Sequence, residues 1–190
     1  MSFKKLTTTC VPLSIENIDT DQVIPARFLK SISREGFGEN LFRDWRYLPG
    51  DVPNPEFALN DQRFKGQILV AGKNFGCGSS REHAQISIKG AGISCVIAES
   101  FARIFLRNAI NMGLAILEIK DISGIKEGDY LEVDLSAGSI LNLTEHKGYK
   151  AKPLPKFIQE IIRSGGLLKW VNKRGTTRKK KQSRNLRGII

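Results

Sequence analysis

The stretch from Asn74 to Ala84, "NFGCGSSREHA", gathers several side chains that could do chemistry. It contains two serines, an arginine, a glutamate and one of the chain's 2 histidines, directly after the apolar run "QILVAG". A P-loop is excluded because no lysine follows Gly78. A dinucleotide-binding fingerprint would need glycine at Arg81, and a nucleophile elbow around Ser80 would need glycine at Glu82. None of these three common motifs explains the stretch.

The same stretch predicts a helix start that favours an anion. Ser79 and Glu82 have the spacing of a capping box, with Ser79 as the N-cap and Glu82 at N3. Backbone N–H groups at a helix N-terminus attract anions, and Arg81 adds a cation able to hold a carboxylate bidentately. The same donors could stabilise a serine alkoxide or an oxyanion. We therefore predict a carboxylate-handling site with a hydroxyl at its centre.

A second polar stretch, "NIDTDQVIPARFLK", places Asp19 and Asp21 before a predicted helical turn. Turn formation and helix capping account for the two carboxylates. Metal binding is the alternative, but the stretch offers no further cluster of ligands beside these two aspartates. In "SREGFGENLF", Arg34 stands near a glycine-flanked Phe37. His83 falls inside the predicted helix, so we assign it a packing or surface role.

The chain around these stretches alternates strand-like and helical patterns. Three short apolar runs, rich in β-branched residues, predict buried strands at 66–72, 93–100 and 113–119. The segments between them have helical spacing, and the second helix has Ser100 as its predicted N-cap and Gly113 as its stop. A β-α-β-α-β order favours right-handed crossovers and a partly parallel sheet.

The flanking segments follow other patterns. "DYLEVDL" and "SILNLT" alternate apolar and polar residues on either side of "SAG", which predicts a β-hairpin. A further helix is predicted from Pro155 to Arg163, ended by Gly165 and Gly166. Residues 31–61 predict a long ordered loop with a short helix, and loops of that length are often functional.

Composition is typical of a globular protein. The chain has 190 residues, of which 41% are hydrophobic and 26% charged, enough for one domain with a substantial core. No apolar run approaches the roughly 20 residues of a membrane helix, and no secretory signal is predicted. The 3 cysteines, Cys10, Cys77 and Cys95, lack the close spacing of an iron–sulfur motif. Their odd number and wide spacing favour a reducing, cytoplasmic location.

The net charge of +11 resides mainly near the C-terminus. Eight basic residues and no acidic ones lie between Lys173 and Arg187, and without them the net charge falls to +3. We therefore divide the chain into a folded domain, 1–172, and a basic, disordered tail, 173–190. Because such a tail can bind polyanions, a nucleic-acid-binding protein is the alternative function from a different class. Against it, the folded part has no basic stripe interleaved with aromatic residues.

The two polar stretches together resemble the aconitase superfamily. "GCGSSREHA" is similar to that superfamily's active-site serine loop, and "NIDTDQVIPARFLK" with "SREGFGENLF" is most similar to the small subunits of bacterial 3-isopropylmalate dehydratases. The likeness runs from Leu6 to Val171, and the basic tail departs from it. It implies an α/β fold, a swivelling β/β/α domain with a mixed, partly parallel sheet flanked by helices.

The resemblance also implies a divided enzyme. This chain would bind no metal and would form a heterodimer with a large subunit that carries a [4Fe–4S] cluster on its own cysteines. The implied hydro-lyase reaction isomerises 2-isopropylmalate to 3-isopropylmalate through 2-isopropylmaleate, in leucine biosynthesis. Related subunits that act on citraconate and methylmalate, or on homoaconitate, would share the serine loop. The aromatic residues of 31–50 favour isopropylmalate, whose branch is apolar.

Roles for individual residues follow from the resemblance by motif. Ser79 matches the catalytic serine, which as an alkoxide removes the proton next to a carboxylate. Ser80 and Arg81 match residues whose backbone N–H groups steady that serine, and Arg81 would also hold a substrate carboxylate. Asp21 matches an aspartate that supports a catalytic histidine of the partner. Arg34 matches a second carboxylate-binding arginine, at a slightly different spacing.

Overall fold

The computed structural model describes residues 4–29, 36–61 and 67–175. Within them a 7-stranded sheet has the order β6-β5-β4-β1-β7-β8-β9, and β2 and β3 form a separate 2-stranded sheet. The strands are β1 (Lys5–Leu13), β2 (Tyr47–Leu48), β3 (Val52–Pro53), β4 (Ile68–Ala71), β5 (Cys95–Ala98), β6 (Ala115–Glu118), β7 (Tyr130–Asp134), β8 (Ser139–Asn142) and β9 (Lys147–Lys150). The helices are α1 (Thr20–Val23), α2 (Arg43–Arg46), α3 (Glu82–Gly90), α4 (Arg103–Met112) and α5 (Lys156–Arg163).

One half of the large sheet is parallel. β4 pairs with β5 and β5 with β6, and α3 and α4 connect these strands. Every residue of β4 and β5 is buried, as expected for short apolar strands that are covered on both faces. The predicted β-α-β-α-β unit is therefore confirmed.

The other half is antiparallel, and β1 joins the two halves. The first five residues of β1 pair antiparallel with β7, whereas Cys10 to Leu13 pair parallel with β4. β7, β8 and β9 then form an antiparallel meander, which confirms the predicted hairpin. The mixed, partly parallel sheet predicted from the sequence is the one observed.

Alternation along the strands divides the apolar residues between two cores. Val11, Leu69 and Val96 lie in the core that contains residues of α3 and α4. Their neighbours Cys10 and Ile68 lie in the core on the opposite face, which includes residues of α5 and of the meander. A two-residue period of this kind is the expected consequence of the β pleat. The sheet is therefore covered by an apolar core on each face.

Two predicted helix caps are wrong. α3 begins after Arg81, which makes no side-chain cap, so Ser79 and Glu82 do not form the predicted capping box. α4 begins after Ala102, because the Ser100 hydroxyl accepts a hydrogen bond from the Asn74 N–H at 2.8 Å instead of capping the helix. At α4 a contact with the serine-containing segment at Asn74 thus replaces the local cap, whereas α3 starts without a side-chain cap.

The predicted helix ends are confirmed. Gly113 has φ +69° and closes α4 in the left-handed conformation. α5 starts after Pro155, and Gly165 and Gly166 follow it with positive φ. A further helical segment, 167–175, includes the first three residues assigned to the basic tail, and residues 176–190 lie outside the described chain.

The long segment before β4 is ordered where the structure describes it. Residues 36–61 contain α2, the 2-stranded sheet and short 3₁₀ turns, and the rings of Phe42, Trp45 and Phe57 pack together. Residues 31–35, which include Arg34, lie outside the described chain. Among the described helices none combines the length and the apolar character needed to cross a membrane.

Candidate active site

The serine loop, residues 72–81, leaves the carboxyl end of β4 and leads into α3. Its base is anchored by Phe75, which is buried and packs edge-on against Phe105 with 5.1 Å between ring centroids. Gly76 and Gly78 have φ of +77° and +81°, a conformation that residues with a Cβ rarely adopt. The glycines thus turn the chain so that the serines follow at the surface.

A second segment, 17–23, packs against the serine loop. Gly76 N–H donates to the Ile18 carbonyl at 2.7 Å, and Thr20 N–H donates to the Cys77 carbonyl at 3.0 Å. Asp19 caps α1 in a capping box with Gln22, as the capping interpretation of this aspartate predicted. The pairing of β1 with β4 brings these two segments, about 60 residues apart in sequence, to the same end of the sheet.

Asp21 and Arg81 meet across this contact. The Arg81 guanidinium donates to both carboxylate oxygens of Asp21, with an Nη2–Oδ2 distance of 2.8 Å. The arginine side chain is 17% exposed and the aspartate side chain 52% exposed. Two of the predicted site residues therefore contact each other directly, and the carboxylate keeps an accessible side.

Ser79 and Ser80 directly precede Arg81 in the sequence, and both residues are exposed. Within the described chain the Ser79 hydroxyl makes no hydrogen bond, so it is available to a ligand or a partner. The Ser80 hydroxyl accepts a hydrogen bond from the Asn108 Nδ2 at 3.4 Å. The two serines differ in this respect, since only Ser80 is held through its side chain.

Backbone donors surround the serines. Among the described residues the N–H groups of residues 78–81 donate to no protein acceptor, although α3 begins directly after them. Unpaired N–H groups at this end of a helix carry partial positive charge and favour an anion. Together with Arg81 they give the serine loop donors that a carboxylate or an alkoxide could accept from.

Two residues that sequence reasoning missed hold the loop. The Thr20 hydroxyl donates to the Ser79 carbonyl at 2.9 Å, and Asn108 reaches Ser80 from α4. Both are buried polar residues, 2% and 9% exposed. A signal existed for Asn108, an amide on a helix whose other inward residues are apolar. No such signal existed for Thr20, because a threonine next to a capping aspartate is expected to take part only in the helix start.

The other singled-out residues lie apart from this chemistry. The His83 ring packs against Phe37 with 5.2 Å between centroids, in agreement with its predicted packing role. Cys77, between the two loop glycines, is half-buried and donates its thiol hydrogen to the Asn17 carbonyl at 3.3 Å. Burial and the charge of Asp19 raise the pKa of this thiol, which makes it a poor nucleophile near neutral pH.

Comparison with known proteins assigns this arrangement to a family. Residues 1–122 match the family model for the aconitase C-terminal domain. The chain is 53% identical over 157 residues to the 3-isopropylmalate dehydratase small subunit of Caldicellulosiruptor bescii, and the match covers 82% of this chain and 89% of that protein. This chain belongs to the family of 3-isopropylmalate dehydratase small subunits.

Other members of the small-subunit family match this chain over a similar share of its length. The 3-isopropylmalate dehydratase small subunit of Methanosarcina mazei is 48% identical over 158 residues, which cover 83% of this chain and 91% of that protein. A crystal structure of 3-isopropylmalate dehydratase from Methanocaldococcus jannaschii aligns with a TM-score of 0.79 at 34% identity. That alignment covers 93% of this chain and 99% of the other. The resemblance and the fold predicted from the two motifs are confirmed.

A small subunit implies a large one, and the cysteines of this small subunit are poor ligands for an iron–sulfur cluster. All three are free thiols, and in the described chain no three His, Cys, Asp or Glu side chains are grouped to hold a metal ion. Burial raises the pKa of Cys10 and of Cys95 to about 12, so neither readily forms the thiolate that a cluster needs. The residues present do not fit such a cluster on this chain.

Proposed function

We propose that this chain is the small subunit of a 3-isopropylmalate dehydratase and contributes the general base and a carboxylate-binding arginine to the shared active site. The enzyme is a hydro-lyase that isomerises 2-isopropylmalate to 3-isopropylmalate through 2-isopropylmaleate, in cytoplasmic leucine biosynthesis. The observation that carries the proposal is the serine loop, with the exposed Ser79 hydroxyl beside free N–H donors and the Asp21–Arg81 pair.

Ser79 is the proposed base. As an alkoxide its Oγ takes the proton from the carbon next to a substrate carboxylate, and the C–H electron pair forms the double bond. The hydroxyl on the neighbouring carbon takes a proton from the large-subunit histidine that Asp21 would support, and its C–O bond breaks so that it leaves as water. Return of water to the other carbon of the double bond, with the proton given back by Ser79, completes the isomerisation. The free N–H groups of Ser80 and Arg81 stabilise the serine alkoxide by donating to it.

Arg81 is the proposed carboxylate ligand. A guanidinium has five N–H donors, and the contact with Asp21 uses one on each terminal nitrogen, so three donors remain for a substrate carboxylate. Asp21 thereby fixes the arginine next to the serines, and its exposed side is free to support a histidine of the large subunit. Arg34, predicted as the second carboxylate ligand, lies outside the described chain.

The large subunit is the proposed partner, in a heterodimer. The proposed site residues Ser79, Ser80 and Asp21 are exposed in the isolated chain, so the site is open to water until a partner covers it. A [4Fe–4S] cluster held by the large subunit's own cysteines would supply a Lewis acid for the departing hydroxyl. Each subunit alone is therefore expected to be inactive.

The test is an anaerobic assay of this chain mixed with a large-subunit candidate from the same genome. Formation of 2-isopropylmaleate is followed by ultraviolet absorbance, with each component also assayed alone. We expect turnover only in the mixture and a loss of roughly 10²- to 10⁴-fold in kcat with Ser79→Ala, because the general base is removed. Ser139→Ala, at an exposed position of β8 far along the sheet, is the matched control and should keep full activity.

The same assay decides between related substrates. Turnover of citraconate or homoaconitate, with no turnover of 2-isopropylmalate, would reassign the substrate within the same reaction class. An active mixture in which Ser79→Ala matches the parent enzyme would reject Ser79 as the base. With an intact cluster and proven association, silence on all of these substrates would reject the proposed function.

A further inference from the structure

Thr20 contacts the serine loop through two hydrogen bonds, one to each neighbour of Gly78. Its backbone N–H donates to the Cys77 carbonyl at 3.0 Å, and its hydroxyl donates to the Ser79 carbonyl at 2.9 Å. The residue is 2% exposed, whereas the serines above it are exposed. Thr20 is thus a buried polar side chain whose one described hydrogen bond is to the peptide group that links the two serines.

The hydroxyl contact fixes the direction of that peptide group. A trans peptide is planar, and its C=O and N–H point in opposite directions. Among the described residues no peptide bond is cis. Because the Ser79 carbonyl points at the buried Thr20 hydroxyl, the N–H of Ser80 must point away from Thr20. That N–H has no acceptor in the described chain and is one of the two donors proposed to stabilise the serine alkoxide.

We infer that Thr20 is a positioning residue of the reaction: its hydroxyl orients the Ser79–Ser80 peptide so that the Ser80 N–H faces the reacting serine oxygen. The inference rests on the proposed function for its effect on catalysis, and on geometry alone for its effect on the loop. Without the hydroxyl the Ser79 carbonyl loses its partner and the peptide is free to rotate. The Ser80 N–H is then still present but no longer held toward the serine oxygen. The alkoxide is stabilised less, because a preorganised donor contributes more than a mobile one.

A hydroxyl-to-methyl exchange tests the inference in the full-length chain. Thr20→Val keeps the β-branched shape and removes the donor, and Thr20→Ser keeps the donor. Thr9→Val makes the same change on β1, where the structure gives the threonine hydroxyl no contact with the loop. If the valine variant does not fold, Thr20→Ala removes the same hydrogen bond without adding a buried methyl group.

The first measurement is independent of activity. Backbone ¹⁵N relaxation should show the order parameter of the Ser80 amide falling from about 0.85 toward 0.6 in Thr20→Val. Thr20→Ser should restore it, and Thr9→Val should leave it unchanged. An unchanged Ser80 order parameter in Thr20→Val would overturn the inference even if the chain proved to have another function.

The second measurement uses the complex with the large subunit. We expect Thr20→Val to lower kcat about 10- to 100-fold with an unchanged KM, since Arg81 still binds the substrate carboxylate. The rising limb of log kcat against pH should move to higher pH, because the alkoxide loses a donor. An active wild-type complex with equal kcat and pH profile in Thr20→Val would reject the inference, whereas an inactive wild-type complex would reject the proposed function instead.

Discussion

Arg81 has a structural contact with Asp21 and a proposed role in binding the substrate carboxylate. Its guanidinium is mostly buried and holds Asp21 through two hydrogen bonds, one from each terminal nitrogen. Because the Asp21 carboxylate is 52% exposed, water screens the pair, and such pairs contribute little to stability, generally below about 1 kcal/mol. The position of Arg81 beside the free N–H groups favours a role in binding an anion in addition to its contact with Asp21.

Replacing this arginine tests that role. We expect Arg81→Lys in the complex to lower kcat/KM about 100-fold, because an ammonium group cannot hold a carboxylate bidentately and one charge-assisted hydrogen bond contributes about 2–3 kcal/mol. The matched control is Arg27→Lys, since Arg27 also pairs with an aspartate, Asp44, with both side chains more than half exposed. Steady-state kinetics that showed equal losses for both variants would contradict the assignment.

At the scale of the elements, the turn after β4 depends on Gly76. A Cβ built there would lie 2.2 Å from the Phe105 ring, in a backbone conformation with φ +77°. The ring belongs to α4 and packs against Phe75, so it cannot move without disturbing the base of the serine loop. The tight approach of α4 therefore sets the shape of the loop that carries the serines.

Two glycine substitutions separate the conformational cost from the packing cost. Gly92→Ala is the control, because Gly92 has φ +88° and open space around its Cβ position, and it should cost about 1–2 kcal/mol in the free energy of unfolding. Gly76→Ala adds the clash with Phe105, for a total of about 2–5 kcal/mol and a loss of activity in the complex. Equal midpoints of urea unfolding for the two variants would show that the ring yields without cost.

At the scale of the molecule, we predict that the basic tail can be removed without loss of activity. Residues 176–190 carry six basic and no acidic residues, so removing them lowers the net charge from +11 to +5. We expect a chain ended at residue 175 to keep full kcat with the large subunit and to elute from heparin at lower salt, because fewer counterions are released on binding. Unchanged elution would show that the tail is not responsible for polyanion binding, which would reject the nucleic-acid-binding alternative based on it.

The sequence by itself determined the features that depend on local pattern. The β-α-β-α-β unit, the hairpin and the stop at Gly113 all follow from residue type and spacing over short ranges, which is why they were predicted correctly. The family also followed from two short motifs. Each of these features involves residues close in sequence, whose conformations are restricted by local sterics and apolar periodicity.

Only the tertiary structure decided which groups meet. Thr20 reaches Ser79 across 59 residues and Asp21 reaches Arg81 across 60, because β1 lies next to β4 in the sheet. In the folded chain α3 starts after Arg81, one of the residues in these contacts, and not after Ser79 as the local pattern predicted. Such contacts are set by strand order and register, which no local pattern encodes, and they give the serine loop the geometry that its proposed chemistry needs.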